Sequence, residues 1–286
     1  MADWLQDVRD HCEKNAPELL LLFDIYAAEA AFGRSYISAD SALLKPGARI
    51  IEVGAGTFLL SCQLAREGFE VTALEPTGSG FSHFQQLRQL VRDRAEFLGC
   101  LPRVIGFPAE VLSEKNCFDF AFSVNVMEHV NDIPRVMANI AASLAPGASY
   151  RFTCPNYLFP YEPHFNIPTL FSKKLTEKAF HRRIFKAKSM PDPAGMWQSL
   201  NWIDVLKVWR VARGLAGISA TFNRSLLVST LERIAIDEDF ASRRSPAMRS
   251  LLLLLVRLRL HRLFQFVPAI FQPIMDCRLK KTNTQG

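Results

Sequence analysis

The sequence has no Cys-x-x-Cys pair, and its six cysteines stand apart at positions 12, 62, 100, 117, 154 and 277. That spacing excludes a zinc ribbon or a disulfide framework and fits free thiols in a reducing compartment. No cluster of His, Cys and Asp has metal-ligand spacing, so no metal is expected. No uncharged apolar run reaches about 18 residues, which argues against a conventional membrane-spanning helix. The opening residues Met1-Ala-Asp-Trp-Leu-Gln-Asp7 are acidic and lack the basic-then-apolar order of a secretory signal, so a cytoplasmic location is expected. Internal repeats and low-complexity tracts are absent as well.

What is present is a globular composition, 49% hydrophobic and 22% charged over 286 residues. A chain of this length can bury a sizeable core, one domain of roughly 200–250 residues with additions. The net charge of +6 hides an asymmetry. Residues 171–286 carry 21 Lys+Arg against 8 Asp+Glu, leaving 13 against 20 for residues 1–170, a balance of +13 beside −7. The basic half therefore suits an anionic partner, or covers an acidic surface.

The stretch Arg49 to Phe58 joins an apolar strand to Gly54-Ala55-Gly56 and then to the apolar-periodic segment Phe58 to Ala65. Strand, glycine turn and helix make an edge that a nucleotide can approach closely. A dinucleotide site wants a third glycine, where Leu59 stands, which argues against NAD or FAD. Before this edge, residues 2–33 read as helices broken near Pro17, with Gly33 as a C-cap. They pack on the core or form a lid through Tyr26, Arg34 or Tyr36. After it, strands at 69–74, 103–107, 118–123 and 149–154 alternate with helices, and Pro146-Gly147 reads as a turn. Five strands alternating with helices predict an α/β fold with a doubly wound, largely parallel sheet. Its ligand edge would lie at the strands' C-terminal ends, at Gly54–Gly56, Glu75, Ala109-Glu110, Asn125 and Pro155-Asn156.

Beyond residue 155 the pattern loosens. Tyr157 to Thr169 reads as a proline- and aromatic-rich loop, 171–188 as a basic helix, and Pro191 to Gly195 as a break. A helix at 203–215 precedes a strand at 218–222, 225–267 look helical, and Ile274 to Lys280 reads as a last strand at an antiparallel edge.

Glu52-Val-Gly-Ala-Gly56, Leu74-Glu75-Pro76, Pro108-Ala-Glu-Val-Leu112, the segment Phe118 to Val130 ending in Glu128-His129-Val130, and Leu144-Ala-Pro-Gly147 follow in this order. Over residues 45–156 this set resembles the class I S-adenosylmethionine-dependent methyltransferases, in particular the small-molecule type with Glu-His-Val after strand four. The resemblance implies a Rossmann-like, mostly parallel seven-stranded sheet. The chain itself reads as an N-terminal helical cap over 1–44, an S-adenosylmethionine-binding core over 45–223 with a substrate loop at 155–200, and a basic, apolar helical addition with a last strand over 224–286. The resemblance places Gly54, Ala55 and Gly56 by the methionine part of S-adenosyl-L-methionine, with Glu52 orienting that loop or the ammonium. Glu75 would bind the ribose hydroxyls, Ala109 and Glu110 the adenine, and Asn125 would border the methyl. Phe58 replaces a further glycine of many members, and Pro108 an adenine-facing aspartate.

Two histidines suit the removal of a proton from a hydroxyl acceptor, because imidazole titrates near neutrality. His164, with Glu162 as partner, is the favoured base; the other reading has it pinning a proline-rich loop. His129, Tyr157 and Tyr161 are candidates for acceptor contacts, and His129 with Glu128 can equally brace the turn. Cys154-Pro155 follows strand five, not strand four, which argues against a cytosine-C5 nucleophile. The expected activity is methylation of a small-molecule, glycan or lipid-linked acceptor, with the basic, leucine-rich stretch 251–267 facing an anionic membrane surface or packing on the core. Modification of RNA or protein, or a catalytically inactive S-adenosyl-binding partner protein, are the alternatives; a nucleic-acid partner lacks a recognised module.

Overall fold

The computed structural model describes residues 1–76, 82–170, 172–187, 192–238, 241 and 246–283. The expected elements that touch residues 81, 171, 188–191, 239–240 and 242–245 lie at those positions outside the described residues.

Seven strands form one sheet: β1 (Arg49–Val53), β2 (Glu70–Leu74), β3 (Arg103–Ile105), β4 (Phe118–Val124), β5 (Leu144–Pro155), β6 (Ile218–Asn223) and β7 (Ile274–Lys281). Their order is β3-β2-β1-β4-β5-β7-β6, mostly parallel with an antiparallel pair at the edge. The order reverses between β1 and β4, whose register pairs Ile50 with Phe120 and Glu52 with Phe122. On the other side of β1, Glu52 lies opposite Ala73 and Val53 opposite Leu74, so the C-terminal ends of β1 and β2 finish level. The central strands are buried along nearly their whole length, as parallel strands covered on both faces must be.

The helices are α1 (Ala2–Asn15), α2 (Leu20–Tyr36), α3 (Ser38–Ser41), α4 (Leu59–Arg66), α5 (Ser82–Phe97), α6 (Ile133–Ser143), α7 (Lys173–Phe185), α8 (Pro193–Ser199), α9 (Val205–Arg213), α10 (Leu226–Ile234) and α11 (Pro246–Arg257). Pro17 opens a single 3-10 turn, Pro17–Leu19, between α1 and α2. The buried Trp4 indole of α1 donates to the Leu59 carbonyl at 2.8 Å and ties α1 to the start of α4.

Two expectations are corrected. Gly33 does not cap α2; it lies inside the helix, where a Cβ would sit 2.8 Å from Leu60 Cδ2, so its role is close helix packing. Pro146-Gly147 does not turn the chain between a helix and a later strand, because β5 already begins at Leu144 and runs through both residues, with Gly147 at φ +76°.

The chain divides into two compact units, Met1–Val126 with Pro134–Arg151 and Lys280–Gly286, and Met127–Ile133 with Phe152–Leu279. In the second unit, Phe165, Ile167, Ile184, Trp197 and Leu200 form a buried cluster. A further cluster of Leu231, Ile234 and Ala241 is covered by Leu252, Leu253, Val256 and Phe264. All six cysteines are free thiols and five are buried.

Candidate active site

In the first unit, the ends of β1 and β2 build a cradle. The Gly54 and Ala55 N–H groups both donate to the Leu74 carbonyl, at 2.7 and 3.2 Å, folding the glycine turn back onto β2. Gly54 has φ +75°, and a Cβ there would fall 2.3 Å from Val126 Cγ2. Gly56 has φ +55°, yet a Cβ would meet nothing nearer than Phe84 Cζ at 4.0 Å. One glycine is thus required by the protein's own packing, and the other leaves open space beside the backbone.

Glu75 closes the cradle. Its Oε2 accepts the Gly56 N–H at 3.0 Å, and its Oε1 is paired with Arg88 Nη2 at 2.9 Å. Burial pushes the Glu75 pKa up, while the Gly56 N–H and the guanidinium pull it down. Arg88 also donates to the Gly56 carbonyl at 3.0 Å and lies over the Phe84 and Phe58 rings, 4.7 and 5.6 Å from their centroids. Arg88 is a site residue that the motifs do not mark, because it comes from the exposed-looking helix α5. Phe84 in turn meets Tyr26 of α2, the ring centroids 5.2 Å apart. Burial raises the Tyr26 pKa to about 12, so it is a neutral phenol.

Beneath the turn, the buried Glu52 carboxyl group accepts from the Ser61 hydroxyl of α4. Burial raises its pKa to about 8, against the opposing pull of Ser61. Glu52 therefore braces β1 against α4. Phe58, fully buried at φ +67°, enters α4 in the left-handed region, which a bulky residue occupies only under strain. At the end of β3, Ala109 is buried in a 3-10 turn, Ala109–Val111, held from α6 by Asn139 Nδ2, which donates to the carbonyls of Ala109 and Glu110 at 3.1 and 2.8 Å. Asn125, just after β4, is exposed at φ +55°, a conformation that asparagine tolerates.

In the second unit, Glu162 organises the loop after β5. It is fully buried, and its Oε1 accepts from His164 Nδ1 at 2.6 Å and from the His164 N–H at 3.1 Å. The Tyr157 hydroxyl donates to the same oxygen at 3.3 Å, and the Phe165 N–H donates to Oε2 at 2.7 Å. Tyr157 is buried and stacked on Trp202, centroids 4.3 Å apart, and burial raises its pKa. Its hydroxyl is directed at Glu162. The Tyr161 hydroxyl donates to Asn166 Oδ1 at the loop's exposed end.

His164 stands edge-on to His129, centroids 5.6 Å apart. His129 Nδ1 lies 2.9 Å from Ser199 Oγ. Burial lowers the His129 pKa to about 4, so the ring is neutral. Beside them Glu128 is fully buried, and neither carboxyl oxygen hydrogen-bonds to another residue; burial raises its pKa to about 7. The fold thus brings His164 to the adjacent Glu128 and His129, and its distance from them in sequence hid any ligand-like spacing. Cys154 is buried, and burial holds its thiol protonated.

The profile of a methyltransferase-domain family matches residues 26–218, more than half of the chain. The chain belongs to this methyltransferase family. An uncharacterized protein of Mycobacterium tuberculosis is 49% identical to this methyltransferase over 281 residues, 98% of this chain and 95% of the relative. The ubiquinone biosynthesis O-methyltransferase of Paramagnetospirillum magneticum is 32% identical over 123 residues, 42% of this chain and 45% of that one. Among solved structures, Haemonchus contortus phosphoethanolamine N-methyltransferase 2 with S-adenosyl-L-methionine has a TM-score of 0.52 at 17% identity, covering 97% of this chain and 60% of its own. An S-adenosylmethionine-dependent methyltransferase of Mesorhizobium loti has a TM-score of 0.52 at 15% identity, covering 85% and 96%. The sheet order is that of the class I fold, and S-adenosylmethionine is the cofactor of this methyltransferase. The cradle fits that molecule: open space beside Gly56 admits a ligand to the backbone, and each Glu75 oxygen keeps a lone pair for a ribose hydroxyl.

Proposed function

We propose that this methyltransferase methylates a hydroxyl oxygen of a small-molecule, glycan or lipid-linked acceptor in the cytoplasm, at a membrane surface. The observation that carries the hydroxyl is the 2.6 Å contact between His164 Nδ1 and Glu162. A buried carboxylate on Nδ1 fixes the tautomer with the lone pair on Nε2 and stabilises the imidazolium that forms on proton uptake, the arrangement a general base needs. S-adenosylmethionine supplies an electrophilic methyl on a sulfonium. The chain's own part is alignment and proton removal, of which alignment can contribute several kcal/mol. Glu75 would hold the ribose and Glu52 brace the glycine turn, while His129 and Tyr161 would border the acceptor. The partial likeness to an O-methyltransferase supports oxygen as the methylated atom.

The membrane surface is proposed from the second unit. Residues Leu252, Leu253, Val256 and Phe264 cover a buried cluster, while Leu251, Leu254, Leu258, Leu260, Leu263 and Phe266 remain exposed beside exposed Arg257, Arg259 and Arg262. Apolar side chains between arginines suit the interface of an anionic leaflet, at roughly 1 kcal/mol per basic residue. Among the described residues no helix is long and apolar enough to cross a membrane.

The test is incubation of labelled cofactor with a lysate fractionated into lipid, glycan, RNA and protein. Label in the lipid or glycan fraction, lost on His164→Ala with cofactor affinity retained, is the expected result. Label confined to RNA or protein overturns the acceptor class, and unchanged turnover in His164→Ala overturns the base. Flotation with anionic liposomes at low salt tests the surface, and absence of binding there overturns it.

A further inference from the structure

We infer that Glu128, His129 and His164 form a binding site for a divalent transition-metal cation. One donor atom from each of the three lies within 4.8 Å of the others. All three belong to the second compact unit.

The hydrogen bonds around the cluster point the donors at a common ligand. Ser199 Oγ donates its proton to the Met196 carbonyl at 2.8 Å, so towards His129 Nδ1, 2.9 Å away, it can only accept. His129 therefore carries its proton on Nδ1 and its lone pair on Nε2. His164 Nδ1 donates to Glu162, which leaves the same lone pair on its Nε2. Each imidazole is thus held through Nδ1 by a second group, the support that metal-bound histidines usually have. Glu162, anchored by the Phe165 N–H and the Tyr157 hydroxyl, is the buried carboxylate of a carboxylate–histidine–metal triad.

Glu128 supplies the second, independent indication. A carboxyl group with no exposure and no hydrogen bond to another residue is costly to bury, above all when ionised. A cation removes that cost. Two imidazoles and one carboxylate are the donor set of open catalytic zinc sites, with the fourth tetrahedral position left to an oxygen. Nitrogen donors favour zinc over magnesium, which prefers oxygen. With bonds of about 2.0–2.1 Å the donors would stand about 3.3 Å apart, so they must close by about 1.5 Å at most.

In the role given to the site, the inference rests on the hydroxyl-acceptor reading above: a cation held by Glu128, His129 and His164 would leave a position for the acceptor oxygen and lower the pKa of its proton. Cation binding itself does not depend on that reading. With the cation bound, His164 is a ligand and not the base, and the acceptor's proton would pass to solvent; without it, the base role stands.

The test uses the full chain, stripped with chelator and titrated calorimetrically with Zn2+. One Zn2+ per chain is expected. Glu128→Gln and His129→Ala should each weaken binding at least tenfold, and Glu162→Gln by about tenfold. S-adenosylmethionine affinity within twofold of wild type reports that each variant folds. If a variant loses that affinity, the zinc absorption edge of the wild-type chain decides: a nitrogen and oxygen shell supports the site, and a sulfur-rich shell overturns it. No stoichiometric uptake, or uptake unchanged in Glu128→Gln and His129→Ala, overturns the cation site and leaves the base reading standing. Zinc bound as expected, with methyl transfer confined to a nitrogen acceptor, overturns the hydroxyl reading and leaves the site standing.

Discussion

Arg88 Nη2 holds Glu75 Oε1 at 2.9 Å while the Gly56 N–H holds Oε2 at 3.0 Å, so the carboxylate at the end of β2 is oriented before any ligand arrives. Both side chains are largely buried, at 12% and 17% exposure, so solvent screens the pair little. Pre-orientation lowers the ordering cost of binding. Glu75→Ala is expected to weaken S-adenosylmethionine binding by roughly 10- to 100-fold, the range for charge-assisted hydrogen bonds. Arg88→Ala, which leaves the carboxylate but frees it to rotate, should cost about tenfold. Calorimetric titration checks both, and an unaffected Arg88→Ala would show that the ion pair serves only the packing of α5.

Glu52 gives a pH dependence whose sign can be worked out. Its pKa is about 8 in the folded chain, raised from the ordinary 4.5 mainly by burial. Between those values the unfolded chain has lost a proton that the folded chain retains, so stability falls as pH rises through this window. The contribution is intact below about pH 4.5 and gone above about pH 8, a change on the order of 5 kcal/mol. Glu52→Gln keeps a partner for Ser61 and removes the titration. Thermal melts at pH 5.5 and 8.0 should show a smaller loss of Tm for Glu52→Gln than for wild type, and equal losses would place the Glu52 pKa near its ordinary value.

Which parts of this site were legible in the sequence follows from the range of each interaction. The glycine turn and Glu75 are fixed by strand ends, and strand periodicity places those ends to within a residue or two. The Glu162–His164 contact is local, two residues apart, and the loop's composition marks it. Arg88 and Asn139 act across the fold from helices whose own pattern gives no sign of a ligand. Gly33 and Pro146-Gly147 mislead for a related reason. Glycine and proline signal turns on average, but here Leu60 needs the space at Gly33, and β5 carries Pro146-Gly147 within an extended segment. The meeting of His164 with the adjacent Glu128 and His129 depends on tertiary structure.

Glu162 accepts four hydrogen bonds from the loop it belongs to, so its removal should be felt as stability before it is felt as chemistry. Glu162→Ala leaves the buried Tyr157 hydroxyl and the Phe165 N–H without their partner, at about 1–3 kcal/mol each. A Tm drop of several degrees is expected, with a larger effect than for His164→Ala, whose side chain is partly exposed. Denaturant melts of the two variants check the ranking, and the reverse order would mean that the loop is held by its apolar cluster alone.

Gly54 and Gly56 separate the needs of the fold from those of the cofactor. Both have positive φ, so alanine at either carries a conformational cost of about 1 kcal/mol. At Gly54 the new Cβ would also fall 2.3 Å from Val126 Cγ2, so side chain or backbone must move, at a typical further cost of 1–3 kcal/mol. At Gly56 the nearest atom to the new Cβ is 4.0 Å away, and the fold loses nothing more. Gly54→Ala should therefore lower Tm clearly. Gly56→Ala should lower it little, yet should bind S-adenosylmethionine at least tenfold more weakly, because its methyl group fills space that the ligand needs beside the backbone. Melting curves and calorimetric titration of the two variants distinguish the cases. Near-wild-type affinity in Gly56→Ala would remove the cofactor from this side of the turn.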